Sequence, residues 1–290
     1  MLELRDLTKI YNAGTVTELK LFDHFNLTVD DGQFLSIVGS NGSGKTSLLN
    51  ILCGSIPLDG GDVRMDGKSI RKQKDFQRYV TIGRVYQNPS LGTCPNLTML
   101  ENLSLADNKG KKFGLGFGVS KKRIDFYRSE LASLGLGLED KLNVKMGALS
   151  GGQRQAVALL MATMTPLKFL ILDEHTAALD PKTAETIMIL TGKVVKEKGL
   201  TAMMVTHNLR YAVEYGDRLL MLDHGQIVLD RAGEEKKATT TEDLLQVFNR
   251  YSILLIQMRK DGRGPMDPRL SFLWGTKNTA RGSSLGREKS

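Results

Sequence analysis

Residues 39–47 read GSNGSGKTS, between the apolar run FLSIV at 34–38 and LLNIL at 48–52, which keeps helical spacing. A short apolar run closed by glycine predicts a buried strand, and the glycine-rich turn after it opens a helix near Gly44. Such a turn holds phosphate. Without Cβ atoms in the way, the backbone N–H groups of Gly39, Ser40, Asn41, Gly42, Ser43, Gly44, Lys45, Thr46 and Ser47 can converge on phosphate oxygens, and the helix adds its positive end. The spacing G-x-x-x-x-G-K-[ST] assigns Lys45 to the β- and γ-phosphates and the Thr46 hydroxyl to Mg²⁺. The nucleotide implied is ATP.

Outward from this turn, apolar runs at 80–85, 169–172, 201–205 and 218–222 predict strands, and 2–7 (LELRDL) alternates as an edge strand. Helical spacing runs over 44–52, 153–164, 181–197 and 244–258, the last behind a capping-box pattern at 240–243. Strands alternating with helices predict a mainly parallel α/β sheet. Between 86 and 149 the strand signal disappears, which predicts a helical insertion. Residues 169–174, FLILDE, end a strand in Asp173, a carboxylate for the Mg²⁺ water shell, and Glu174 follows as a candidate base for an attacking water.

Residues 149–153, LSGGQ, stand at a second helix start. Ser150, Gly151, Gly152 and Gln153 offer a hydroxyl and exposed N–H groups, a second anion site in a chain with one phosphate turn. Two such sites in one chain are explained by a two-fold dimer in which each copy completes the nucleotide site of the other.

In this order the motifs resemble those of the ATP-binding subunit of ABC transporters, for which LSGGQ is the hallmark. The resemblance covers about residues 1–235 and implies a P-loop NTPase sheet core of ABC ATPase type with an inserted helical subdomain at about 88–165 and an antiparallel β edge. By the same resemblance Tyr11 stacks on adenine, Gln87 is the Q-loop glutamine that shares the metal with Thr46 and Asp173, Asp180 closes the D-loop 178–180, and His207 is the switch histidine beside the catalytic Glu174. Taken singly, Tyr11 also fits strand packing, Gln87 a polar loop residue and His207 a helix cap. Position 175 is His where the family often has Pro, and the sequence favours loop packing for it.

The family reading implies an integral membrane permease as partner, a head-to-tail second copy, and a location on the cytoplasmic face of the membrane. Residues 174–185, EHTAALDPKTAE, with GEEKK at 233–237, resemble an importer branch that works beside an extracytoplasmic solute-binding protein and takes up an amino acid or similar small solute. The alternative is a non-transport ABC ATPase acting on DNA or ribosomes. No unbroken apolar stretch approaches the roughly 20 residues of a membrane span, and the amino terminus lacks a signal-peptide layout.

Composition adds limits. Of a net charge of +8, five units lie at 259–290, where eight Lys or Arg face three acids, so the body carries +3 and nucleic acid is not expected as a partner. That Gly-, Pro- and Ser-bearing tail reads as disordered, with Trp274 as a possible anchor, and 236–258 reads as a helical extension. A basic loop at 109–123 carries six cations and no acid and reads as a solvated loop or a contact surface. Cys53 and Cys94 show no metal spacing, so a reduced compartment and apolar packing are expected for both.

Overall fold

The computed structural model describes residues 1–111 and 118–260. Expectations for the middle of the basic loop and for the tail with Trp274 lie outside the described residues. In chain order the first half contains β1 (Leu2–Tyr11), β2 (Leu19–Val29), β3 (Phe34–Gly39), α1 (Lys45–Cys53), β4 (Gly60–Met65), β5 (Lys68–Ser69), α2 (Asp75–Arg78), β6 (Ile82–Val85), α3 (Met99–Asp107) and α4 (Ile124–Ala132). The second half contains α5 (Gly151–Thr163), β7 (Phe169–Asp173), α6 (Pro181–Glu197), β8 (Ala202–Val205), α7 (Leu209–Glu214), β9 (Arg218–Asp223), β10 (Gln226–Ala232), α8 (Gly233–Lys237) and α9 (Thr241–Lys260).

Two sheets organise these elements. One runs β10-β9-β3-β8-β7-β6 and is parallel except for β10, which returns antiparallel on β9. Every residue of β3 and β8 is buried, as continuous apolar strands require when both faces are covered. The other sheet, β2-β1-β4-β5, is antiparallel. β1 is therefore not an edge strand over 2–7: it extends to Tyr11 and pairs on both sides. Register shifts between Leu4 and Leu7, with Asp6 at a φ of 55°, break the alternation from which its length was read.

Packing follows from these layers. Leu48, Leu49, Ile51 and Leu52 of α1 share one core with Leu4 and Val63 of the antiparallel sheet and Ile37 and Ile171 of the parallel sheet. A fully buried Leu or Ile contributes roughly 1.5–3 kcal/mol, so four of them fix the helix between the sheets. The second core joins Leu170, Leu172 and Val85 on the opposite sheet face to α3, α4, α5 and α6.

Among the described residues, 86–149 contains helices and one isolated bridge, Thr98 with Lys145, but no strand. α3 begins there because the Thr98 hydroxyl accepts from the Glu101 N–H at 3.2 Å while the Glu101 carboxylate accepts from the Thr98 N–H at 2.7 Å. Thr240 and Asp243 form the same reciprocal cap before α9. Met1–Leu244 is one compact unit, and the rest of α9 falls in a second. Cys53 is buried, but Cys94 is exposed, against the packing expectation. At Cys94 it is the backbone that is held, donating to and accepting from the buried Asn102 side chain.

Candidate active site

Parallel pairing sets the chemistry on one sheet edge. Ile37 of β3 and Asp173 of β7 both lie opposite Val205 of β8, and Leu172 lies opposite Val85 of β6. The residues that follow, Gly39 onward, Glu174, His207 and Gln87, therefore leave the sheet at its carboxyl edge, where open α/β sheets bind ligands.

The turn after β3 needs glycine for two reasons. A Cβ on Gly39 would lie 2.2 Å from the Leu222 carbonyl oxygen, and Gly44 sits at a φ of 104°. Gly44 is the N-cap of α1 yet supplies no side-chain cap, and the first turn holds no acid. The first N–H groups of α1 thus lack the usual acceptors, which is the donor arrangement an anion completes. Lys45 is folded onto the turn, donating to Gly39 O at 2.7 Å, Ser40 O at 2.8 Å and Ser43 Oγ at 3.3 Å. Burial lowers its pKa below the ordinary lysine value, against the opposing charges of Glu174 and Asp223. From behind, the turn between β9 and β10 supports it: Ser40 Oγ donates to Asp223 at 2.8 Å, and Gly225 N donates to Ser43 O at 2.9 Å. Sequence reading missed Asp223 and Gly225, since nothing local marks a hairpin as a prop for a loop some 180 residues earlier.

Glu174 stands just past β7 with a φ of 47°, its N–H donating to Val205 O at 2.9 Å. Its Oε1 lies 2.5 Å from His207 Nε2. His207 is not a helix cap. That role belongs to Asn208, whose Oδ1 accepts from Tyr211 N at 3.3 Å, while Asn208 N donates to Thr206 Oγ1 at 3.0 Å. The Tyr11 hydroxyl donates to Ser47 Oγ at 3.0 Å. Tyr11, residues 41–47, Glu174 and His207 line one cleft of 260 Å³ with Leu19 and Leu21.

Other candidates lie outside that cleft. Ser150 caps α5, its Oγ accepting from Gln153 N at 3.3 Å while Gln153 Oε1 accepts from Ser150 N at 3.3 Å. Gly151 faces Leu179, and Gly152 faces α6, where a Cβ on it would meet Thr183 Cγ2 at 2.2 Å. Asp180 caps α6 through Thr183 N at 3.1 Å. Gln87 is exposed after β6, and the preceding residue is tied to α5 by Gln155 Nε2 donating to Tyr86 O at 3.0 Å. His175 is buried, as loop packing requires, and its Nε2 lies 3.0 Å from Thr191 Oγ1. Because that hydroxyl gives its proton to Ile187 O at 2.7 Å, Nε2 is the donor.

Asp173 has a partner that sequence reading also missed. Arg84 Nη2 donates to Asp173 Oδ2 at 2.7 Å. Burial acts to lower the Arg84 pKa, but the bond to Asp173 and nearby acidic groups outweigh it and leave it raised. Thr46, Gln87 and Asp173 offer only hard oxygen donors, which suits Mg²⁺. Among the described residues no group of three or more His, Cys, Asp or Glu could hold a metal alone.

Comparison with known proteins adds family to geometry. The family described as ABC transporter matches residues 22–177. The chain is 44% identical over 248 residues to a tyrosine transport ATP-binding protein of Clostridioides difficile, covering 86% of this chain and 98% of that protein. It is 32% identical over 254 residues to a xylose/arabinose import ATP-binding protein of Sulfolobus acidocaldarius, covering 87% and 95%. A dimeric post-hydrolysis structure of the ATP-binding cassette MJ0796, bound to ADP and Pi, superposes with a TM-score of 0.67 at 32% identity, covering 80% of this chain and 98% of that one. The chain belongs to the ABC transporter family and is one of its ATP-hydrolysing cassettes.

Proposed function

We propose that this cassette binds Mg-ATP in the cleft beside α1 and hydrolyses it to drive solute uptake through a separate membrane permease. The observation that carries the reading is the Glu174–His207 contact of 2.5 Å, placed in one cleft with Lys45 and Thr46. Glu174 takes the proton of the attacking water, and His207, bound at Oε1, leaves Oε2 to face it. Lys45 turns its ammonium from the turn carbonyls to the phosphates. Thr46, Gln87 and Asp173 would hold Mg²⁺, which supplies charge neutralisation at the β- and γ-phosphates. Tyr11 stacks on the base.

Ser150 belongs to the partner copy's nucleotide in this reading. Its Oγ accepts within the cap, so its hydroxyl proton is free to reach a γ-phosphate across a head-to-tail dimer, with Gly151, Gly152, Gln153 and Asp180 at the same junction. The dimeric state of the MJ0796 cassette supports this arrangement.

No helix among the described residues is long and apolar enough to cross a membrane; in this reading the permease is another chain. Its docking place is a 470 Å³ groove lined by Tyr86, Leu91, Cys94 and Leu105, with Leu91 69% and Leu105 51% exposed. The tyrosine transport relative favours an amino acid as solute, with an extracytoplasmic binding protein in the same system and the cassette on the cytoplasmic membrane face. Affinity purification of the full chain from detergent-solubilised cells tests this. A multispan membrane protein is expected. Recovery of ribosomes or DNA in its place would overturn the transport reading.

A further inference from the structure

Arg84 is a charged residue in the four-residue strand β6, and the register explains where it goes. It lies opposite Ile171 of β7, so it shares a sheet face with Asp173 two residues further on, the face that packs against α1. There Nη2 donates to Asp173 Oδ2 at 2.7 Å and Nη1 donates to Asn50 Oδ1 of α1 at 2.9 Å. The guanidinium also lies over the Tyr86 ring, 4.6 Å from its centroid, while Nε is buried without a partner. With side-chain exposures of 7% and 15%, Arg84 and Asp173 form the most enclosed ion pair at the sheet edge.

Resting on the reading that Asp173 serves the metal, we infer that Arg84 is a resident counter-ion and positioning residue of the metal site. Its charge neutralises Asp173 when no nucleotide is present, and a part-buried carboxylate left alone would be strongly unfavourable. Its fork fixes Oδ2 and leaves Oδ1 to face the metal's water shell. Its positive charge also repels an incoming divalent ion, and the negative phosphates offset that repulsion. The site therefore admits metal together with nucleotide and resists metal alone.

Two variants separate charge from shape. Arg84→Gln retains a hydrogen-bond donor but removes the charge, whereas Arg84→Lys retains the charge without the planar fork. Mn²⁺, used as a paramagnetic stand-in for Mg²⁺, is measured by electron paramagnetic resonance on the full chain carrying a non-hydrolysable ATP analogue. Arg84→Gln should bind Mn²⁺ about tenfold more tightly than the unaltered chain, equal to about 1.4 kcal/mol. Arg84→Lys should stay within about twofold. Without nucleotide, Arg84→Gln should gain Mn²⁺ binding that the unaltered chain lacks.

Equal weakening in both variants would mean a purely structural role and overturn the inference, as would unchanged Mn²⁺ affinity in a folded Arg84→Gln. Asp173→Asn is the control for the underlying reading: if it leaves Mn²⁺ affinity unchanged, the metal is not held at Asp173, and that reading falls with the inference. Should Arg84→Gln fold poorly, Arg84→Met removes the same charge while keeping an unbranched side chain suited to the buried face. A rise in Mn²⁺ affinity then supports Arg84 as the counter-ion, and no change overturns it.

Discussion

Two helices of this cassette begin in glycine, α1 at Gly44 and α5 at Ser150-Gly151-Gly152, and they treat their first N–H groups in opposite ways. α1 starts without a side-chain cap or an acid in its first turn. α5 starts with a complete reciprocal cap between Ser150 and Gln153. An uncapped helix start is unsatisfied in the isolated chain and calls for an anion, whereas a capped one is already at rest and gains one only by adding to what it has. In the proposed reading α1 serves this chain's own nucleotide and α5 that of another copy, and the difference in capping is what supports it.

The largest effect expected on this contrast concerns the chemistry at the α1 side. Glu174→Gln retains the size and one hydrogen-bonding oxygen of the side chain but removes the base. Turnover should fall about 10³-fold, while nucleotide affinity measured by equilibrium binding stays near that of the unaltered chain. Unchanged turnover would show that the 2.5 Å pair with His207 is a structural contact and that the base lies elsewhere.

Next in size is the joint between the two helix starts. The loop after Glu174 leads to Asp180 and α6, against which α5 packs, and His175 ties it to Thr191. Burial pushes the His175 pKa down from 6.5 to about 4. The sign follows from linkage: the unfolded chain binds the proton more readily, so His175 contributes its full stability above about pH 6.5 and loses it as the pH falls toward 4. The whole loss is on the order of 3 kcal/mol. Thermal unfolding between pH 7 and 4 should therefore show a shallower decline in His175→Gln, which retains a donor for Thr191 without titrating. Parallel declines in the two proteins would place the histidine in contact with solvent.

How far the contrast could be read without a structure depends on distance along the chain. The α1 start was legible because strand, turn and helix are contiguous, and each leaves its own pattern within residues 34–53. The same holds for the cap at Thr240, whose partner lies three positions on. β2 was missed because its period is broken at His24, which takes a φ of 51° and pairs with Asp6 at 2.5 Å across the bulged ladder. Arg84 was illegible for a different reason: its partners lie 89 and 34 residues away, and only the parallel register brings them together. The basic loop reads differently as well, since Asp107 takes Lys111 at 3.2 Å and Arg123 at 2.8 Å, so part of its charge is already neutralised.

A smaller effect tests the packing half of α5. Gly152 has no strained φ, but a methyl group there would enter Thr183 Cγ2. Gly152→Ala should lower stability by about 2 kcal/mol, measured by denaturant unfolding. Adding Thr183→Ser, which removes Cγ2 and leaves the Asp180 cap on the backbone N–H intact, should restore most of it. If the double variant is as unstable as the single one, the glycine is required for something other than the approach of α5 to α6.

The smallest effect on stability is also the sharpest test, because Ser150 carries both halves of the contrast in one oxygen. Ser150→Ala removes the cap on Gln153 N and should cost about 1 kcal/mol of stability. It also removes the hydroxyl proton offered across the dimer, so turnover should fall about tenfold, with nucleotide binding to a single copy unaffected. Ser150→Asp keeps an acceptor for the cap but sets a negative charge against the partner's phosphates. Stability should then stay at the original level while turnover and nucleotide-driven dimerisation are both lost, the latter seen as a failure of the sedimentation coefficient to rise with ATP in a Glu174→Gln background. If Ser150→Asp dimerises as before, the start of α5 is a helix cap alone, and the second anion site has to be sought on another surface of the chain.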